Sequence, residues 1–164
     1  MAKAFIPGVL ALYRGTEKKS SALHLTLFRA TPNKAGYVKV EMTAGPRAFD
    51  YDWTQKIILH LTTVELAALA ILETQEVIFH HKPDAAIGEA TGRSKRFKVK
   101  PAPKGGAFVD LTETHPPNPE RTHSIAINNE ELFAIQLLCR EAIPLVIGWT
   151  RELCQVPRDF SKAG

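Results

Sequence analysis

A strand running into a capped, apolar helix occurs twice in this chain of 164 residues. Sliding the sequence by 66 residues lays LHLTTVELAALAIL on IAINNEELFAIQLL, so that Leu59 meets Ile125, Leu61 meets Ile127 and Glu65 meets Glu131. Further along, Leu66 meets Leu132, Leu69 meets Ile135 and Leu72 meets Leu138. Each helix opens on a capping box, Thr62 with Glu65 and Asn128 with Glu131. In that arrangement the cap side chain and the acid three residues on satisfy N–H groups that a helix start otherwise orphans. A strand–helix unit that recurs cannot bury its apolar face alone, so the two copies must share a core.

The rest of the chain reads at period two, the spacing of a strand with one buried face. In SALHLTLF, Leu23, Leu25 and Leu27 share one side, and His24, Thr26 and Phe28 the other. Strands are predicted at residues 9–14, 21–29, 36–43, 50–61, 76–81, 94–100, 107–114 and 121–127. The breakers TPNKAG, AGPR, KPDAAIGEATG, PAPKGG and THPPNPE separate many of them. About four strands therefore precede each helix, an α+β fold of duplicated ββββα units with two antiparallel four-stranded sheets. The expected organisation is an arm over residues 1–7, one domain over 8–149 with halves near 8–74 and 75–149, and a tail over 150–164. Pro144 is expected to weaken the end of the second helix and Gly148 to stop it.

Both helices carry more apolar surface than a helix lying on a sheet requires. Val64, Leu66, Leu69, Ile71 and Leu72 surround the first; Leu132, Phe133, Ile135, Leu137, Leu138 and Ile143 do so in the second. The excess faces helices of other subunits, giving a homo-oligomer, or the two helices cover each other within one subunit. No apolar run approaches the roughly 20 residues that span a bilayer, so no membrane role is expected. Cys139 and Cys154 lack metal or disulfide spacing, and a buried free thiol at Cys139 fits a reducing cytoplasm.

A net charge of +4 leans mildly toward polyanions, and its distribution matters more than its size. The stretch RSKRFKVKPAPK, residues 93–104, holds six basic residues and no acid. As a strand it sends Arg96, Lys98 and Lys100 to one face and Phe97 and Val99 to the other. Such a stripe tracks a phosphate backbone; otherwise it is a solvated face whose lysines deter edge pairing. Lys18 and Lys19 fall in a hairpin, Tyr37 and Lys39 share a strand face, and YDWTQK combines Tyr51, Trp53 and Lys56. Rings among lysines suit single strands, whose unpaired bases expose faces for stacking. No helix offers a basic recognition face for the major groove.

Catalysis finds no support in the sequence. The six histidines include no HxxxH or HExxH, and the neighbours His80 and His81 point to opposite faces of a strand. Ser20 and Ser21 lack a nucleophile elbow, and PKGG has no following helix to make a phosphate loop. No cofactor or metal is expected.

With these residues in place, the chain resembles the Whirly family of single-stranded-DNA-binding proteins. The resemblance rests on the ordered set GYV…YDWTQK, FHHKP, KRFKVKPAPKGGAFVDLT and AIPLVIGW, and it covers roughly residues 13–149. It implies sheets packed roughly perpendicular and a tetramer joined through the helices. It also implies DNA lying along the sheets and between protomers, with bases in partly apolar pockets and low sequence specificity. The expected roles are repair, recombination or replication. On the basic stripe, the ring-bearing faces and this resemblance together, Lys19, Lys39, Lys56, Arg96, Lys98 and Lys100 are expected to contact phosphates, and Tyr37, Tyr51 and Trp53 to stack on or line base pockets.

Period two puts Tyr51 and Trp53 on the inward face with Ile57, Leu59 and Leu61. Trp53 is then either core or base-stacking, and a bulge near Asp50 would reverse the faces. The family's Lys-Gly-Lys-Ala-Ala-Leu motif is broken here to YRGTEKKSSAL, with Lys19 matching its second lysine; assembly beyond a tetramer is therefore open. Without an organelle-targeting extension, a bacterial or phage-like cytoplasmic protein is the expectation. The rival readings are a single-stranded-RNA-binding or annealing protein, and a non-catalytic scaffold for an acidic partner.

Overall fold

The computed structural model describes residues 9–82 and 92–148. The expected arm, the expected tail, Trp149 of AIPLVIGW and residues 83–91 lie outside the described residues. Two units of four strands and a helix follow one another. The first comprises β1 (Val9–Thr16), β2 (Lys19–Phe28), β3 (Tyr37–Gly45), β4 (Ile57–Leu61) and α1 (Thr63–Ala70). The second comprises β5 (Val77–His81), β6 (Ser94–Pro101), β7 (Ala107–Thr114), β8 (Arg121–Ile127) and α2 (Asn129–Val146). Each set of strands forms its own antiparallel meander, β1-β2-β3-β4 and β5-β6-β7-β8.

The register explains why apolar alternation suffices to specify these sheets. Leu12, Leu23, Met42 and Ile57 lie opposite one another across the first sheet. Val77, Val99, Val109 and Ile125 do so across the second. Both rows join one hydrophobic core between the sheets, and β8 lies against β2 and β3. A one-residue slip would turn each row to solvent, at about 2 kcal/mol for each large side chain exposed.

One predicted strand is corrected. The segment 50–61 is extended only over Ile57–Leu61, and Trp53–Gln55 is a 3-10 turn. The Asp52 carboxylate accepts the Thr54 N–H at 3.0 Å and caps that turn. Asp52 N–H donates to the Ala44 carbonyl, and the Thr43 hydroxyl to that of Asp52 at 2.5 Å, so the chain folds back on β3 before β4 begins. Polar side chains bonding to nearby backbone outcompete the ladder here, and the period-two assignment of Tyr51 and Trp53 to the inward face fails with it.

Both capping boxes form. Each box glutamate also reaches a strand of the other half: Glu65 bonds His81 of β5 at 2.7 Å, and Glu131 pairs with Arg14 of β1. Helix α1 is shorter than its apolar segment, because Leu72 N–H bonds back three residues to Leu69 and tightens the last turn. Helix α2 runs two residues past Pro144. Its final carbonyls, on Leu145 and Val146, accept the N–H groups of Ala30 and Gly36 at 3.0 and 2.9 Å. Gly36 is required there, since a Cβ would sit 2.5 Å from the Phe28 carbonyl oxygen. The second half's helix is thus fastened to the β2–β3 connection of the first.

The helices pack against each other within the chain, which consumes part of their apolar surface. Val64, Ile71, Phe133, Leu137 and Ile147 remain exposed. No helix among the described residues is long and apolar enough to cross a membrane.

Asn128→Ala should lower stability by about 1 kcal/mol in urea unfolding. Glu131→Ala should cost more, because Arg14 then loses its carboxylate as well as the box losing its acid.

Candidate nucleic-acid interface

With the inner faces of both sheets committed to the core, the outer faces carry the remaining chemistry. On the first sheet the register sets Tyr13 beside Ala22 and Thr43, and His24 beside Glu41 and Ile58. Phe28 pairs with Tyr37, and Lys39 lies between Thr26 and His60. The rings gather in two rows. Phe28, Tyr37 and His60 stack with centroids 4.8 and 4.2 Å apart. Tyr51 leans on Tyr13 at 5.3 Å, Tyr13 bonds His24 through its hydroxyl at 2.7 Å, and the His24 ring lies 4.5 Å from Trp53. The 3-10 turn therefore carries Trp53 to the outer, ring-bearing face. Tyr51 is half-buried and Tyr13 more exposed, so Tyr13 is the more accessible ring of that pair.

Cations flank the rings. The Lys39 ammonium sits 5.5 Å from the Phe28 centroid and Lys34 lies 5.6 Å from that of Tyr37, within reach of a cation–π attraction. Lys39 and Lys56 also share one carboxylate, Glu41, at 2.9 and 2.8 Å. Glu41 is only 8% exposed. Burial pushes its pKa up, but the hydrogen bonds and charges of Lys56 and Lys39 outweigh burial and hold it below the ordinary value. This group of three keeps one net positive charge from two lysines, with its geometry pinned.

On the second sheet, Arg96, Lys98 and Lys100 do share the outer face, opposite Thr112, Asp110 and Phe108. Phe97 and Val99 are buried on the inner one. Lys98 pairs with Asp110 at 2.9 Å and Arg96 with Glu120 at 3.6 Å; Lys100 is exposed. Burial raises the Asp110 pKa, while hydrogen bonds from Ser124 and Lys98 and the charges of Lys98 and Arg96 bring it below its ordinary value. Phe108 and Ile78 stand exposed on this face.

Between the sheets, beside β4, a cleft of about 370 Å³ is lined by His60, His81, Lys82, Arg93 and Lys95, among others. The Lys95 ammonium donates to the Ile58 carbonyl at 2.6 Å. Its pKa is lowered by burial and by Arg93 and Arg121, against the opposing pull of Glu113. His60 is pushed down by burial and by Lys95, Lys39, Lys34 and His81, so it presents a neutral ring at pH 7. Among the described residues no group of three or more His, Cys, Asp or Glu is placed to hold a metal.

The sequence-predicted residues therefore fall in three places. Tyr37, Lys39, Tyr51, Trp53 and Lys56 come together on the first sheet's outer face. Arg96, Lys98 and Lys100 line the second sheet. Lys19 is exposed at the β1–β2 turn. Sequence reasoning does not single out Tyr13, His24, Phe28, Lys34, His60 or Lys95. Period two places His24 and Phe28 together, but their neighbours follow only from the register. His123 is buried on the inner face, bonded to the Gln55 carbonyl at 2.8 Å.

A family model described as Whirly transcription factor matches residues 24–138. The chain is 26% identical over 132 residues to the single-stranded DNA-binding protein WHY1, chloroplastic, of Zea mays, covering 79% of this chain and 50% of that protein. It is 27% identical over 133 residues to single-stranded DNA-binding protein WHY3, chloroplastic, of Arabidopsis thaliana, covering 79% and 49%. The chain thus spans about half the length of the curated relatives it matches. The crystal structure of WHY3 from Arabidopsis thaliana superposes with a TM-score of 0.71 at 20% identity, over 92% of this chain and 94% of that one. The plant transcriptional regulator PBF-2 gives 0.68 at 18% identity, over 89% and 86%. At these identities the structural likeness is one of fold.

Glu41→Gln should destabilise the protein at neutral pH, read by urea unfolding. The sign follows from a depressed folded pKa: Glu41 contributes stability above its ordinary value of 4.5, and the contribution is lost as pH falls through the lowered one. The stability gap between variant and wild type should therefore narrow on acidification below that value; a gap independent of pH would contradict the ion-paired geometry.

Proposed function

The chain belongs to the Whirly family, and on that basis we propose that it binds single-stranded DNA with little sequence specificity and without catalysis. The observation that carries the reading is the outer face of the first sheet. Two rows of rings stand there with Lys34, Lys39 and Lys56 among them. Rings on an open sheet offer stacking worth about 1–3 kcal/mol per base, and a duplex hides the faces that stacking needs. The relatives named as single-stranded DNA-binding proteins support the same reading.

The two sheets differ in their rings: the first carries two rows of them on its outer face, the second an exposed Phe108. On the first sheet stacking by Tyr13, His24, Tyr37, Trp53 and their neighbours supplies most of the affinity, and Glu41 cancels one of the three lysine charges. Tyr51 supports Tyr13 from behind. On the second, Arg96, Lys98 and Lys100 meet phosphates, and Lys19 does so at the β1–β2 turn; these cations supply the salt dependence. Protection or organisation of exposed DNA during repair, recombination or replication is the role such binding serves.

A homotetramer joined through the exposed helix residues Val64, Ile71, Phe133 and Leu137 would remove their apolar surface from water. Cys139, a buried free thiol pushed up to about 12 by burial, suits a reducing, cytoplasmic setting.

Replacing Tyr37 by Ala should weaken binding to a mixed-sequence single strand roughly tenfold and leave the salt slope unchanged. Lys98→Ala with Lys100→Ala should instead flatten the slope, by about 0.7 for each phosphate no longer neutralised. An unchanged slope would remove the second sheet from the site. Matched DNA and RNA oligomers in competition separate DNA from RNA binding, and indifference to both at moderate salt would favour an acidic protein partner. Light scattering should give a mass that falls on Phe133→Glu; a monomeric wild type would sink the tetramer.

A further inference from the structure

We propose that Phe49 is a dedicated stacking residue for an unpaired base at the rim of the first sheet, an extension that rests on the single-stranded-DNA reading above. Phe49 is 81% exposed, and its backbone has φ 61°. That left-handed conformation is costly for a bulky side chain and cheap for Gly or Asn. An exposed ring at such a position gains little from burial, so neither packing nor backbone preference accounts for a phenylalanine there.

The loop that holds it is tightly determined. Asp50 N–H bonds the Arg47 carbonyl at 3.2 Å, and the Arg47 side chain approaches the Asp50 carboxylate at 3.6 Å. The Ser20 hydroxyl of β2 donates to the Asp50 carbonyl at 2.8 Å. That carbonyl oxygen lies 1.4 Å from where a Cβ on Gly45 would stand, so only glycine admits this path. Across the sheet, Ala48 and Phe49 pack against Gly15, whose own Cβ would come within 3.2 Å of the Ala48 Cα. Strain at a residue whose surroundings over-determine it is the kind that accumulates where a protein meets its ligand.

The position suits a base. Gly15, Ser20 and Gly45 form the last row that β1, β2 and β3 share, and Tyr13, Ala22 and Thr43 lie two residues inward. The Phe49 backbone therefore lies over the row next along from Tyr13 on the outer face. Lys18, Lys19 and Arg47 are exposed at that same end, as are Glu17 and Asp50, which leaves it with one net positive charge. An exposed ring at a rim of net positive charge fits the face of a base and the phosphates next to it, whereas an apolar protein partner would have to cover those charges.

The test is Phe49→Asn, which removes the ring and suits the backbone. Binding is measured by anisotropy on labelled oligodeoxythymidylate, and stability by thermal unfolding. The expected result is a pair of opposite signs: affinity falls roughly fivefold to a hundredfold, while Tm rises by about 2–4 °C. Phe49→Trp should keep wild-type affinity, and Phe49→Leu should lose it as Asn does. Wild-type affinity in the Asn or Leu variant, with wild type binding normally, overturns this inference alone. A wild-type protein that ignores the oligomer overturns the single-stranded-DNA reading and this one with it.

Discussion

Each half of this protein is tied to the other through the start of its helix. Glu65 and Glu131 both close capping boxes, and both extend their carboxylates to the first strand of the opposite half, to His81 in one case and Arg14 in the other. A carboxylate at the third position of a helix is well placed for this. It faces the positive end of the helix dipole and accepts the orphan N–H groups, so its charge is already favoured there. One residue therefore orients the helix, fastens the halves and satisfies donors at the helix start. The carbonyls at the end of α2 add a further tie, to Ala30 and Gly36. Neither sheet covers its own apolar face, and these ties hold the two inner faces together.

That arrangement decides which β surface stays open. The inner faces are used up in the core, so the open β surface is the outer one. There the first sheet carries His24, Phe28, Tyr37 and His60 in register. Glu41 sits between Lys39 and Lys56 and halves the charge of that pair. A fully cationic face would attract any polyanion, duplex included, whereas a face of moderate charge with many rings discriminates by whether bases are free to stack. The second sheet moderates its charge in the same way, with Asp110 against Lys98 and Glu120 against Arg96.

Much of the architecture can be read from residue order. The capping boxes, the doubled strand–helix unit and β7 and β8 stand where the pattern puts them. The separation of Arg96, Lys98 and Lys100 from Phe97 and Val99 also holds. The failure at residues 50–56 has a definite cause: Asp52 and Thr43 offer the backbone partners more local than a neighbouring strand. Alternation cannot report that competition, because YDWTQK has the same pattern whether it is extended or turned. His123 is placed by the repeat. It lies 66 residues from Ile57 in the repeat and takes an inner-face position, made tolerable by the Gln55 carbonyl.

By itself the sequence determined the duplication, the sheet-and-helix content, the helix starts and which side of each strand is apolar. These depend on spacings of two to four residues along the chain, and such spacings carry their own physics. Tertiary structure alone decided that Trp53 faces outward onto His24, that Lys39 and Lys56 share Glu41, and that Phe49 stands exposed in a loop closed over Gly15. Each of these depends on which residues stand opposite one another across strands and on how a loop closes over a neighbouring hairpin. Those are meetings between residues far apart in order, and no local period encodes them.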